Sequence, residues 1–103
     1  MRWRFIDGGL PAPDLQVRVG DDSEARYLDT GWRDRRVGAE FDGLDGHMTR
    51  EQLAADRTRH NWLTEHRWTL LHFTGVDVYR HAAQMIATAA RALGLELPRY
   101  PRS

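Results

Sequence analysis

The chain contains no cysteine and no lysine. Lack of cysteine excludes disulfides, thiolate zinc sites and cysteine nucleophiles together, and makes a reducing compartment, the cytoplasm, the expected location. All 15 basic residues are arginine. Arginine grips phosphate bidentately, but a GC-rich coding sequence is the simpler reason for so complete a bias. No apolar run approaches the ~18 residues of a membrane-spanning helix. Met1-Arg2-Trp3-Arg4 leads into mixed sequence, so no signal peptide is expected. Phosphate-cradling glycine loops, serine-triad motifs and zinc motifs are missing as well, as are internal repeats and low-complexity segments. The formal net charge is 0, which gives the chain no general attraction for nucleic acid.

What is present suits one small domain. The 103 residues allow a single modest core, expected over residues 1–94 with 95–103 as a C-terminal tail containing two prolines. The charge is unevenly spread. Residues 1–46 carry ten acids and seven arginines, net −3, and residues 47–103 carry five acids and eight arginines, net +3. An acidic centre beside a more basic half suits a metal-dependent site with an anionic substrate, although the difference is small.

MRWRFIDGG reads as the last turns of a helix stopped by Gly8-Gly9. Its apolar residues Trp3, Phe5 and Ile6 are expected to be incompletely covered, which makes a homodimer plausible. After the Pro11-Ala12-Pro13 linker, Asp14 to Val19 alternates as a strand, with Leu15, Val17 and Val19 inward. YLDTGW and RVGAEFDG are two further strands about the turn Arg33-Asp34. Gly43-Leu44-Asp45-Gly46 breaks the chain. Thr49 and Gln52 form a capping-box pattern opening a helix to about Glu65. Trp68 to Phe73, apolar on both faces, reads as an interior strand. Thr74-x-x-Asp77 starts a last helix with the stripe Ala82, Ile86, Ala89 and Leu93, stopped by Gly94. The order is helix, three meandering strands, helix, strand, helix, and a right-handed crossover makes the fourth strand parallel to the third. The expected class is α/β with a mixed sheet flanked by helices.

The strongest chemical signal is Asp29, Glu40 and Asp42. A two-residue hairpin loop at Arg33-Asp34 pairs Leu28 with Ala39 and Thr30 with Val37 on the apolar face. On the polar face Tyr27 opposes Glu40, and Asp29 lies one diagonal step from Glu40. Three clustered carboxylates repel one another, and a cation among them removes that cost. Mg²⁺ or Mn²⁺ fits oxygen donors of this kind; a solvated hairpin face is the alternative. On the same reading Glu40 stands clear of the core, so its removal should leave the fold intact. His47, beyond the glycine loop, could serve as a general base or metal ligand, or be a surface histidine. Gln52, Asp56, Arg59 and Leu63 form one helical stripe. If it points inward, Gln52 and Arg59 can reach a phosphate, with a solvated face as the alternative. Arg50 and Arg57 are candidates for a nucleic-acid backbone or plain surface charge. His60, His66 and His81 lack metal-ligand spacing, and His72 sits in an apolar strand.

From GLPAPDLQ, YLDTGW, GAEFDG, DRTRHNWL and WTLLHFT, the chain resembles the endonuclease-like domains related to very-short-patch-repair enzymes, within the PD-(D/E)XK nuclease superfamily. The likeness covers roughly residues 4 to 90, and GAEFDG with an upstream aspartate is its most specific part. It implies a restriction endonuclease-like fold, α-β-β-β-α-β-α. It makes Asp29 the first motif aspartate and Glu40 the second acid, with Asp42 where the motif lysine would stand. Arg59 matches the basic helix residue, and His47 falls near a histidine that often follows the E-x-D-G turn. Relatives begin with a longer first helix carrying a glutamate near the site, and this chain starts after that point. His72 stands where an arginine is common, and Arg67 replaces a glycine. The function implied is Mg²⁺- or Mn²⁺-dependent hydrolysis of DNA phosphodiesters. Asp29, Glu40 and Asp42 would hold the metal, His47 and Arg59 would assist, and Gln52, Arg57 and Arg59 would contact DNA. A non-catalytic nucleic-acid-binding or regulatory module, of toxin–antitoxin type, is the alternative on the same fold.

Overall fold

The computed structural model describes residues 1–42 and 49–96. It contains helix α1 (Arg2–Asp7), strands β1 (Asp14–Gly20), β2 (Ala25–Trp32) and β3 (Val37–Asp42), helix α2 (Arg50–Glu65), strand β4 (Thr69–Thr74), and helices α3 (Gly75–Arg80) and α4 (Ala82–Leu93). The sheet order is β1-β2-β3-β4. The first three strands are an antiparallel meander, and β4 runs parallel to β3 after the α2 crossover. The architecture is therefore α/β with a four-stranded mixed sheet.

Apolar clusters line both faces of the sheet. One gathers Phe5 of α1, Trp32, Val37, Ala39 and Phe73 of the strands, Val78 of α3, and Met85, Ala89 and Leu93 of α4. The other gathers Val17, Val19 and Leu28 around Leu63 of α2, with Trp62, Trp68 and Leu70 at its margin. β4 is an edge strand, not the interior strand expected from its two apolar faces. Helices explain the pattern: Leu70 packs on the α2 side, while Leu71 and Phe73 pack on the α4 side. In α1, Phe5 is fully buried between Trp32 and Phe73, whereas Trp3 is 43% and Ile6 41% exposed.

The β2–β3 hairpin departs from the two-residue loop. Thr30 pairs with Ala39, Gly31 with Gly38, and Trp32 with Val37. The connection is the four residues Arg33–Arg36, closed by Arg35 N–H to the Trp32 carbonyl at 3.1 Å, with Arg36 in the left-handed region at φ 54°. A loop built this way moves the register by two residues. Leu28 does not face Ala39 either. It belongs to the α2-side cluster, and a Cβ placed on Gly38, which alternates with Ala39, would lie 2.6 Å from Leu28 Cδ1. Trp32, four residues on, is on the opposite side, so β2 breaks alternation between them. The break lies opposite Gln16, whose φ of 53° takes it out of the ladder between the pairs Leu15–Thr30 and Val17–Leu28. One left-handed residue in a strand switches the faces that follow it.

The helix starts follow their sequence signals. Thr49 with Gln52 and Thr74 with Asp77 both form complete capping boxes. The last helix is two helices, however, because His81 takes φ −126° and ψ 38°. The break lets α3 bury Val78 and α4 bury Met85, Ala89, Ala90 and Leu93 independently. The stripe in α4 is thereby turned from the expected one: Ala82 and Ile86 are only half-buried.

Candidate functional site

The α2-facing side of β3 and β4 changes character along its length. In the parallel register Gly38 lies beside Leu70, then Glu40 beside His72, then Asp42 beside Thr74. The first pair is under the Leu63 cluster. The later pairs are polar and lie at the carboxyl ends of the strands, where open α/β sheets bind ligands.

Arg59 organises this end. β2 and β3 pair over only three residues, Thr30 to Trp32 against Val37 to Ala39. Beyond Thr30 the guanidinium of Arg59 bridges the two strands. It donates to Glu40 Oε1 at 2.5 Å and to the Tyr27 carbonyl at 2.8 Å. The ion pair is largely desolvated, the side chains being 26% exposed for Arg59 and 13% for Glu40. Such a charge-assisted bond is stronger than a surface ion pair, because solvent screens it less. Arg59 reaches inward because it lies one helical turn from Leu63, which is fully buried.

Two histidines join the carboxylates. His72 Nδ1 lies 3.3 Å from Asp42 Oδ1, and its ring stacks against His60 of α2 with centroids 6.1 Å apart. No residue spacing pointed to either. His72 is hidden in an apolar run because β4 is covered on both faces, and His60 meets it only through the crossover. The signal was present in the register: His72 is two residues beyond Leu70, on the same face of β4.

The other candidates are distributed as follows. Asp29 is exposed on β2, level with the alternation break, and makes no polar contact with Glu40 or Asp42 among the described residues. Gln52 completes the α2 cap, its Oε1 accepting from Thr49 N–H at 2.9 Å. Arg57 lines a shallow depression with Arg50 and Leu53 on the exposed side of α2. His47 lies outside the described residues. Among the described residues no group of three or more His, Asp and Glu side chains is disposed to hold a metal ion. The site is thus a mixed cluster of Glu40, Asp42, His60, His72 and Arg59. It can bind an anion at Arg59, offer two carboxylates to a cation, or exchange a proton at imidazole.

The fold and site define a small α/β domain with a polar cluster at the end of its parallel strand pair. The chain is similar to two uncharacterized proteins of Mycobacterium tuberculosis, MT2308 and Rv2248, from two strains. Each is 35% identical over 90 residues, covering 86% of this chain and 33% of the relative. The chain therefore spans about a third of the length of the curated relatives it matches. No family model and no solved structure matches it. Among the described residues no helix is long and apolar enough to cross a membrane.

Proposed function

We propose that the chain is a metal-dependent, nuclease-like domain of restriction endonuclease-like fold that acts on DNA phosphodiesters. The supporting observation is the convergence of Glu40, Asp42, His72, His60 and Arg59 at the carboxyl ends of β3 and β4. The order of elements and the mixed sheet agree with that fold.

The donor chemistry fits Mg²⁺ or Mn²⁺. Such ions are commonly held by one or two carboxylates, with water and substrate phosphate completing the shell. Glu40 and Asp42 would hold the ion, which supplies charge neutralisation at the phosphoryl group and a more acidic bound water. The protein's own residues do the rest. When His72 Nδ1 donates to Asp42, its Nε2 is the basic nitrogen and can take a proton from water. His60 lies alongside that ring, with the centroids 6.1 Å apart. Arg59, with donors in a planar fork, can share its guanidinium between Glu40 and a phosphate oxygen.

The tight pairing of Glu40 with Arg59 favours a second reading, a non-catalytic nucleic-acid-binding or regulatory module on the same fold. Calorimetry with Mn²⁺ on wild type, Asp42→Asn and Glu40→Gln separates the two. The nuclease reading expects wild type to bind, both variants to bind at least tenfold more weakly, and DNA cleavage only with added metal. Equal, weak Mn²⁺ binding by all three proteins sinks it. Salt-sensitive DNA binding without metal would then support the module.

A further inference from the structure

A second site lies at the opposite end of the parallel pair. A cavity of about 430 Å³ opens where β3 and β4 begin, lined by Arg18, Asp21, Arg33, Arg36, His66 and Trp68 among others. Its size is within the range of small-molecule pockets. Along β3, at about 3.3 Å per residue, Glu40 lies about 13 Å and Asp42 about 20 Å from Arg36.

The lining is cationic and held in place. The β2–β3 turn carries Arg33 and Arg36, and it is anchored to β4 by Thr69 N–H donating to the Arg36 carbonyl at 2.9 Å. Arg18 donates to the Asp21 carbonyl at 2.7 Å. The Asp21 carboxylate is occupied by its own turn, its Oδ1 accepting from Ser23 N–H, Ser23 Oγ–H and Glu24 N–H. His66 is fixed by stacking on Trp62 at 3.8 Å and by Nδ1 donating to the Trp62 carbonyl at 2.7 Å. Among the described residues the guanidiniums of Arg33 and Arg36 form no ion pair. Two uncommitted guanidinium forks on one anchored turn suit a phosphate group, which each can meet bidentately. Beside them the half-buried indole of Trp68 offers an aromatic surface on which a base can stack.

We propose that this cavity binds a nucleoside 5′-monophosphate group, with the phosphate on Arg33 and Arg36 and the base against Trp68. The site is independent of the nuclease reading, since none of its residues belongs to the Glu40 cluster. The group can come from a free nucleotide or from the phosphorylated end of a strand.

The test is calorimetry, with tryptophan fluorescence alongside, using adenosine 5′-monophosphate, adenosine, and a trinucleotide with and without a 5′-phosphate. The variant pair is Arg33→Ser with Arg36→Gly. Both positions are exposed, and glycine accepts the φ of 54° at position 36 without strain. Expected is one-to-one binding of the monophosphate, at least tenfold weaker binding of adenosine, and a loss of about ten- to hundredfold in the double variant. Trp68→Phe should keep binding while removing most of the fluorescence change. A trinucleotide that needs its 5′-phosphate to bind identifies a strand end as the source. Exclusion of both trinucleotides identifies the free nucleotide. The proposal is overturned if the double variant binds like wild type or adenosine binds as well as its monophosphate. It is equally overturned if Asp42→Asn weakens binding as much as the arginine changes do.

Discussion

Replacing Arg59 with methionine keeps the aliphatic stem beside Leu63 and removes only the guanidinium. Two hydrogen bonds disappear, to Glu40 and to the Tyr27 carbonyl, and Glu40 is left 13% exposed with no counter-charge. Breaking a fully buried pair costs about 3–5 kcal/mol, and losing a surface pair costs about 0–1 kcal/mol. Arg59 at 26% exposure and Glu40 at 13% lie nearer the buried limit, so about 2–3 kcal/mol is expected. Against a total of roughly 5–15 kcal/mol for a domain of this size, that is a large fraction. It corresponds to a fall in Tm of about 8–20 °C. Urea denaturation of wild type, Arg59→Met, Glu40→Gln and the double variant gives the cycle, with an expected coupling of about 1–2 kcal/mol. The expectation that Glu40 stands clear of the core, and can be removed at no cost, is thereby corrected. It sits on the α2 side, under the helix. An Arg59→Met protein within 0.5 kcal/mol of wild type, or strictly additive variants, would refute the view that this pair bridges the splayed strands.

Gly20→Ala should destabilise the β1–β2 hairpin by about 2 kcal/mol or more, read as a fall in Tm. Gly20 has φ 130°, and a Cβ there would lie 2.2 Å from the Glu24 carbonyl oxygen. Asp21 should make the same hairpin sensitive to acid. Hydrogen bonds from the Ser23 hydroxyl and from the Glu24 and Ser23 amides hold its carboxyl below the usual carboxylate range. A depressed folded-state value stabilises fully above the unfolded value and loses that contribution as pH falls through the folded one. The gap in urea midpoint between wild type and Asp21→Ala should therefore be present at neutral pH and close in strong acid. A gap constant with pH would remove the carboxylate as its source.

Element identity was legible in the sequence where the signal is local. Thr49 with Gln52 and Thr74 with Asp77 announce two capping boxes, and both form. Element order was legible too, since a strand–helix–strand crossover leaves one sensible handedness. What escaped is non-local or depends on a single backbone dihedral. Arg36 and Gln16 adopt left-handed conformations that asparagine or glycine would have advertised and that arginine and glutamine do not. The first sets the β2–β3 register, and the second lies opposite the face switch between Leu28 and Trp32. Together they account for the misplaced pairing of Leu28 with Ala39, and for Asp29 falling at the break, just beyond the last pair of the β2–β3 ladder.

The same reasoning explains why the candidate site contains histidines that spacing could not suggest. Glu40 and Asp42 are two apart on β3, so alternation alone gives them one face. Their partners come from β4 by parallel register, which sets residue 40 beside 72 and residue 38 beside 70. Leu70 and Leu63 seal the first rung of that face, so α2 must lie close over it. One turn earlier on the helix, Arg59 and His60 necessarily meet the next rung, Glu40 and His72. A helix that approaches this closely cannot leave an acid unpaired beneath it, and Arg59 supplies the charge. The polar cluster is thus a consequence of packing before it is a device for chemistry. That order matters for interpreting variants. Changes at Glu40 or Arg59 disturb the seating of α2 as well as any reaction, whereas Asp42 and His72, more exposed and bonded to each other, can be altered with the fold kept. Activity lost on Asp42→Asn at unchanged stability therefore speaks to function in a way that Glu40→Ala does not.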